Sequence, residues 1–275
     1  MAGGYQGSPL TMFTGIPFGR AHPYSETEAK VILKGLMAAL RPKLAAARDL
    51  MVDTGVVRPA IGGGWDHVWD IVGFTFAHGA DTFTEAPHLT VGVGRREASL
   101  QLTVPHNARQ LYWDPLQLAG TDVLRNRLLA VTDRLRPTRH RVGGAWEPQL
   151  SVQLYQRHFY AQRRPRLDGE VRFEVDTLFP TQGKLNPRVK TVPSWLEVFV
   201  RMLSQARKAN FEFALRAEFP LQDGSIARTP RLVDALVVVA RAFQPFVSMI
   251  AATPPFGKPR AQLGMAKASS YTPPA

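Results

Sequence analysis

Two histidines frame the clearest β signal in the chain: Pro87-His88 opens it and Pro105-His106 closes it. If the segment folds back as a hairpin, both imidazoles lie near the same open end. There they could work as an acid/base pair or ligate a metal. The commoner outcome for histidines at strand ends is an ordinary structural hydrogen bond, and that is the expectation here. A second group consists of carboxylates. Glu174 and Asp176 alternate with Phe173 and Val175, and Glu212 and Glu218 alternate with Phe213 and Phe219. On neighbouring strands these acids would share a sheet face and could hold Mg²⁺ for phosphodiester hydrolysis. Arg172 and Arg216 fall on that same face, so cross-strand ion pairs account for the pattern equally well. His88, His106, Glu174 and Asp176 are the catalytic candidates on this reading. A third stretch, Trp65-Asp66-His67-Val68-Trp69-Asp70, follows three glycines. Asp66 with His67 or Asp70 has metal-binding residue types, but packing tryptophans beside a flexible joint is the simpler reading.

The densest chemical signal is cationic. From Arg125 to Arg172 the chain carries 11 arginines against four acids, Asp133, Glu147, Asp168 and Glu170. Leu150, Val152 and Leu154 alternate inward, which directs Tyr155, Arg157 and Phe159 outward. Arg136, Arg139, Arg141, Arg163, Arg164 and Arg166 complete a belt in which rings sit among guanidinium groups. Rings can stack on unpaired bases while guanidinium groups hold phosphates. This belt is the expected nucleic-acid contact.

Other chemistries are excluded or unsupported. The chain has no cysteine, which removes thiolate zinc sites, iron–sulfur clusters, disulfides and a cysteine nucleophile. It lacks Gly-x-Ser-x-Gly and His-Glu-x-x-His motifs. The glycines at 62–64 are not followed by the Lys-Ser/Thr of a phosphate-binding loop. His88-Leu89-Thr90-Val91 resembles one motif of the two-histidine phosphoesterases, but the second copy that this family requires is missing. No cofactor and no metal are expected.

The elements that must position these groups follow from periodicity. Ser25 and Glu28 form a capping box, and Ala29, Leu33, Leu36, Leu40, Leu44 and Ala47 trace a helical stripe interrupted by Pro42, which should kink or divide it. A strand is expected through Val68, Val72, Phe74 and Phe76. The alternation of Leu89, Val91, Val93 with Leu100, Leu102, Val104 around Gly94-Arg95-Arg96-Glu97 marks a hairpin. A helix from Thr121 to about Arg136 precedes a basic loop, RPTRHRVGG. A second hairpin pairs Leu150–Leu154 with Val171–Val175 across an Arg-rich connection. Ser194 and Glu197 open another helix, a strand runs from Phe211, and Thr229-Pro230 starts the last helix.

Strands that follow strands directly imply an α+β fold with a mostly antiparallel sheet and about four helices on one side. Residues 1–24 read as an extended arm, 25–252 as a single domain with a conceivable sub-boundary near Gly143-Gly144, and 253–275 as a flexible tail. The apolar run from Leu232 contains Asp234, Arg241, Gln244 and Pro245, so it reads as a buried helix, with no membrane partner. The absence of cysteine and of a secretory signal at the start points to the cytoplasm.

Of 275 residues 34 are Lys or Arg and 22 Asp or Glu, a formal net charge of +12, and 26 of the basic residues are Arg. Charge density without a convincing active site points to a non-catalytic protein that binds RNA or DNA as part of a larger assembly. A phosphodiesterase or nuclease built on the histidines or strand carboxylates is the rival from catalysis. A structural subunit that self-associates or wraps protein partners with its arms is the third reading.

Overall fold

A computed structural model describes residues 13–17, 26–47, 49–50, 62–64, 67–74, 85–142, 148–155, 170–175 and 194–251. Seven strands form one sheet: β1 (Gly62–Gly64), β2 (His67–Phe74), β3 (His88–Gly94), β4 (Glu97–Val104), β5 (Gln149–Tyr155), β6 (Glu170–Glu174) and β7 (Glu212–Pro220). Every pair is antiparallel, in the order β1-β2-β3-β4-β7-β5-β6. The expected α+β class is therefore correct. Both expected hairpins form, and the last strand in sequence lies between them. One sheet thus spans both sides of the suggested sub-boundary, whose glycines lie outside the described residues.

The hydrophobic alternation decides which face is covered. Leu89, Val91, Val93, Leu100, Leu102, Val104, Leu150, Val152, Leu154, Phe213, Leu215 and Phe219 are buried in one core. Six helices supply the rest of it: α1 (Glu26–Ala46), α2 (Gln110–Gln117), α3 (Thr121–Val142), α4 (Ser194–Leu203), α5 (Leu232–Ala242) and α6 (Gln244–Ala251). α1 lies over β2 and β3, α5 touches β4, and α3 packs against α4, α5 and α6. Phe173 of β6 stacks on Trp195 of α4 with ring centroids 5.2 Å apart, and Phe213 of β7 stacks on Phe246 of α6 at 5.9 Å. The helices lie on one side, as expected.

Several local expectations change. α1 continues unbroken through Pro42. Pro42 and Ala38, whose carbonyl loses its partner, are both on the exposed side, where water satisfies the lost bond. The stripe itself is buried as read, from Ala29 to Ala47. A short helix, α2, was not anticipated. Its polar residues and Pro115 hide the burial of Tyr112, Trp113 and Leu116. α3 runs on to Val142, so Arg136, Arg139 and Arg141 belong to a helix and not to a loop. The last apolar segment is two helices bent by 41°. The bend falls at Phe243, two residues before Pro245, which has no N–H to donate backward but suits a helix start. No single described helix is long and apolar enough to cross a membrane.

In β2 the pairing jumps from Ile71↔Thr90 to Gly73↔Leu89, which makes Val72 a bulge. The phase shifts, and Phe74 pairs with His88 instead of following Val68. Phe76 lies outside the described residues, as do Ser25 and residues 252–275. Of the N-terminal arm, residues 13–17 are described and carry no regular secondary structure. Ile16 is buried in the core and donates its N–H to the Ala227 carbonyl at 3.0 Å.

The turn after α4 ends in a left-handed cap. Asn210 has φ of 57°, its N–H bonds the Arg207 carbonyl, and the Phe211 N–H bonds the Ala206 carbonyl at 2.9 Å. This double bond is the Schellman pattern, which aims the chain into β7. Asn210→Gly is expected to leave stability unchanged or raise it by up to about 1 kcal/mol, and Asn210→Val to lower it by about 1–2 kcal/mol; urea midpoints of the three proteins test the order.

Candidate functional site

The second face of the sheet is polar. Counted across the strands from β3 to β6, one row is Thr90, Gln101, Arg216, Ser151 and Glu174, and the next is His88, Thr103, Ala214, Gln153 and Arg172. This face is itself largely buried: Ser151, Gln153, Ser99, Thr103, Gln101, Glu212 and Glu218 are all 9% exposed or less. Buried polar groups must find partners, and Ser151, Gln153, Thr103, Gln101 and Glu218 do so here in two networks.

One network is neutral. The Gln101 Nε2 group donates to Thr103 Oγ1 at 2.8 Å and to the Tyr155 hydroxyl at 3.0 Å, and Gln153 Nε2 donates to Ser151 Oγ at 3.2 Å. Tyr155 does lie on the face opposite Leu150, Val152 and Leu154. It is buried there, however, with its hydroxyl engaged, and is not an exposed ring.

The other network is ionic and crosses the sheet. Arg172 NH1 and NH2 reach the two oxygens of Glu218 at 3.0 and 2.7 Å, and Arg172 Nε reaches Glu174 at 2.6 Å. On the other side of Glu218, Arg216 Nε lies 2.9 Å from Oε1, and Arg216 NH2 lies 3.3 Å from Glu97. His67 Nδ1, 3.6 Å from Glu97, ends the line. Of the carboxylates read as a possible Mg²⁺ site, Glu174 and Glu218 are therefore the partners of arginines. Among the described residues no three His, Asp or Glu side chains are placed to hold a metal ion. Asp176 lies outside the described residues.

The His67 ring rests on β3 at Gly92. A Cβ on that residue would stand 2.3 Å from the imidazole Cε1 and Nε2. Asp70 is on the other face of β2, bonded to Arg41 of α1 at 3.2 Å, so it does not meet His67. Asp66 lies outside the described residues. The imidazole of His67, and then the charges of Arg216 and Arg172, hold the Glu97 carboxyl below its ordinary value of 4.5, against the opposing effect of burial.

The two histidines at the hairpin end have separate partners. Buried His88 donates from Nδ1 to the Ala86 carbonyl at 2.9 Å, and His106 Nδ1 lies 3.5 Å from Glu212 Oε1. Sequence reasoning missed Glu212 as the partner of His106, because β7 reaches β4 only through the sheet order.

The arginine-rich belt divides between described and undescribed residues. Arg157, Phe159, Arg163, Arg164 and Arg166 lie outside the described residues. Arg136, Arg139 and Arg141 occupy the last turns of α3, a helix with six arginines and two aspartates. Earlier in that helix, Arg125 and Arg127 are half-buried and Arg134 exposed, beside the buried stripe of Leu124, Leu128, Val131 and Leu135. Arg134 donates to the Arg241 carbonyl at 3.2 Å. Among the described residues no carboxylate pairs with Arg125, Arg127 or Arg134, whereas Arg172, Arg216, Arg228 and Arg241 all have acidic partners. No protein-family model matches the chain, and no curated protein is similar to it in sequence.

Gly92→Ala is expected to destabilise the fold by about 1–3 kcal/mol, because the new methyl overlaps the His67 ring. Combining it with His67→Ala should restore part of the loss, because Ser99 Oγ would still stand 2.8 Å from the new Cβ; chemical denaturation of the single and double variants measures this. The Glu97 carboxyl has a folded-state pKa below its unfolded value. Its ionised form therefore stabilises the fold above pH 4.5, and this contribution is lost as pH falls through the folded value. Urea midpoints of wild type and Glu97→Gln should differ at pH 7 and converge as pH drops below 4.5.

Proposed function

We propose that the protein is a non-catalytic binder of RNA or DNA that works within a larger assembly. The observation that carries this reading is the charge of α3: six arginines against two aspartates, on a helix anchored by one apolar stripe. The acids of the polar sheet face are occupied by Arg172 and Arg216, so they do not offset this charge. A folded helix with four more arginines than acids attracts phosphate through charge and releases condensed counterions when it binds. The arginines at 157, 163, 164 and 166 would add to the same contact. Participation in an assembly is supported by Leu118, 83% exposed, and Val123, 45% exposed, at the corner between α2 and α3.

The test is a filter-binding titration of RNA and DNA oligonucleotides across ionic strength. Binding should weaken steeply with salt, with log affinity falling by about 0.7–0.9 per phosphate contact for each log unit of salt. No retention of either nucleic acid at 50 mM salt, a condition chosen to favour electrostatic binding, would remove the proposal.

A further inference from the structure

β6 stands at one edge of the sheet and, among the described residues, pairs only with β5. Burial changes sharply there. Leu150 to Tyr155 of β5 are all buried, whereas Glu170 is exposed and Val171, Arg172, Phe173 and Glu174 are half-buried. A strand edge carries a row of N–H and C=O groups that a further strand can complete. The opposite edge differs: β1 has three residues, all glycine, and no side chains to fix a register. Apolar surface lies beside the β6 edge. Trp195, Val198 and Met202 recur at helical spacing on one flank of α4, next to the buried Leu196, Phe199 and Leu203. Trp195 stacks on Phe173, so this flank is the one turned to β6. Trp195 and Met202 are half-buried and Val198 is 39% exposed, which leaves an apolar strip partly in water next to the strand edge.

The charges of β6, Glu-Val-Arg-Phe-Glu, are complementary to those of the same strand running the other way. A two-fold axis through Phe173, perpendicular to the sheet, sets Arg172 opposite Glu174 of a second copy, and does so twice by symmetry. The side chain of Glu174 is 44% exposed, so a second guanidinium can reach it while it stays bonded to Arg172. An axis through Arg172 would instead set Arg against Arg and Glu170 against Glu174, which disfavours that register. An axis through Val171 also opposes Arg172 and a glutamate, but only the axis at Phe173 centres the contact on the ring beside the α4 flank. A strand edge of five residues is a small contact, and the flank supplies further apolar area. We infer that the protein forms a two-fold dimer in which β6 pairs antiparallel with β6 of a second copy and the Trp195, Val198 and Met202 flanks of α4 meet beside it. This dimer goes beyond the nucleic-acid reading and does not rest on it.

Sedimentation equilibrium of the full chain, freed of nucleic acid, tests this and should give a monomer–dimer equilibrium with a Kd of about 10 μM or tighter. Glu174→Lys sets like charges opposite each other at both symmetry-related positions and should weaken the dimer about tenfold or more, as should Val198→Glu on the α4 flank. Circular dichroism should show both variants folded. Because the chain has no cysteine, Phe173→Cys carries a single thiol. The axis places that thiol opposite its own copy, within the Cα separation of about 4.4–6.8 Å that a disulfide spans. Mild oxidation should therefore give a covalent dimer of this variant, and none of Ala38→Cys, which lies on the exposed side of α1. A monomer even at about 100 μM, dimers that form only with added nucleic acid, a dimer that neither Glu174→Lys nor Val198→Glu weakens, or covalent dimers that form equally from both cysteine variants would overturn the inference. Failure to bind nucleic acid would leave it standing.

Discussion

One carboxylate, Glu218, stands between two guanidinium groups in the middle of the sheet. Its strand, β7, has Leu215, Ala217 and Phe219 in the core on one face and Arg216 and Glu218 on the other. A charge this buried is tolerated only with partners at hydrogen-bond distance, and Arg172 and Arg216 provide them from both sides. The pairing ties β6 to β7, and Arg216 extends it through Glu97 to β4 and the imidazole on β2. A slip of one residue in any of these strands would put the charges into the core and the leucines out of it.

The network also determines where charge is left over. Three glutamates are spent on Arg172 and Arg216, Asp70 on Arg41 and Asp49 on Arg241. Among the described residues Arg125, Arg127 and Arg134 of α3 have no such acid. Ion pairing within the sheet and charge excess on the helix therefore result from one distribution of residues. On the sheet face the carboxylates Glu97, Glu174 and Glu218 are bound to arginines. His106 is turned to Glu212, His88 to a carbonyl, and Gln101 to Tyr155.

Much of the architecture was legible from the chain. The β3–β4 hairpin, the buried stripe of α1 and the one-sided helix layer follow from periods of two and of about 3.6 residues, which burial of one face imposes locally. Failures occurred where a local signal competed with packing. Pro42 reads as a breaker, yet on the exposed side of α1 it costs one bond that water replaces. The run after Arg136 reads as a loop because of Pro137, yet α3 continues through it. Val72 shifts the phase of β2, and nothing in the alternation marks a bulge. Tyr155 was assigned to the correct face, but alternation says nothing about whether that face is covered.

The sequence by itself determined the class of fold, the surplus of arginine, the absence of thiol chemistry and which residues share a strand face. These are properties of composition and of neighbours along the chain. Only the tertiary structure decided that β7 lies between β4 and β5, and with it that Glu218 meets both arginines and Glu212 meets His106. Glu218 with Arg172, and Glu97 with Arg216, join residues 46 and 119 positions apart in sequence across the same sheet. Strand order depends on how whole hydrophobic faces close against the helices, a condition that no local pattern encodes.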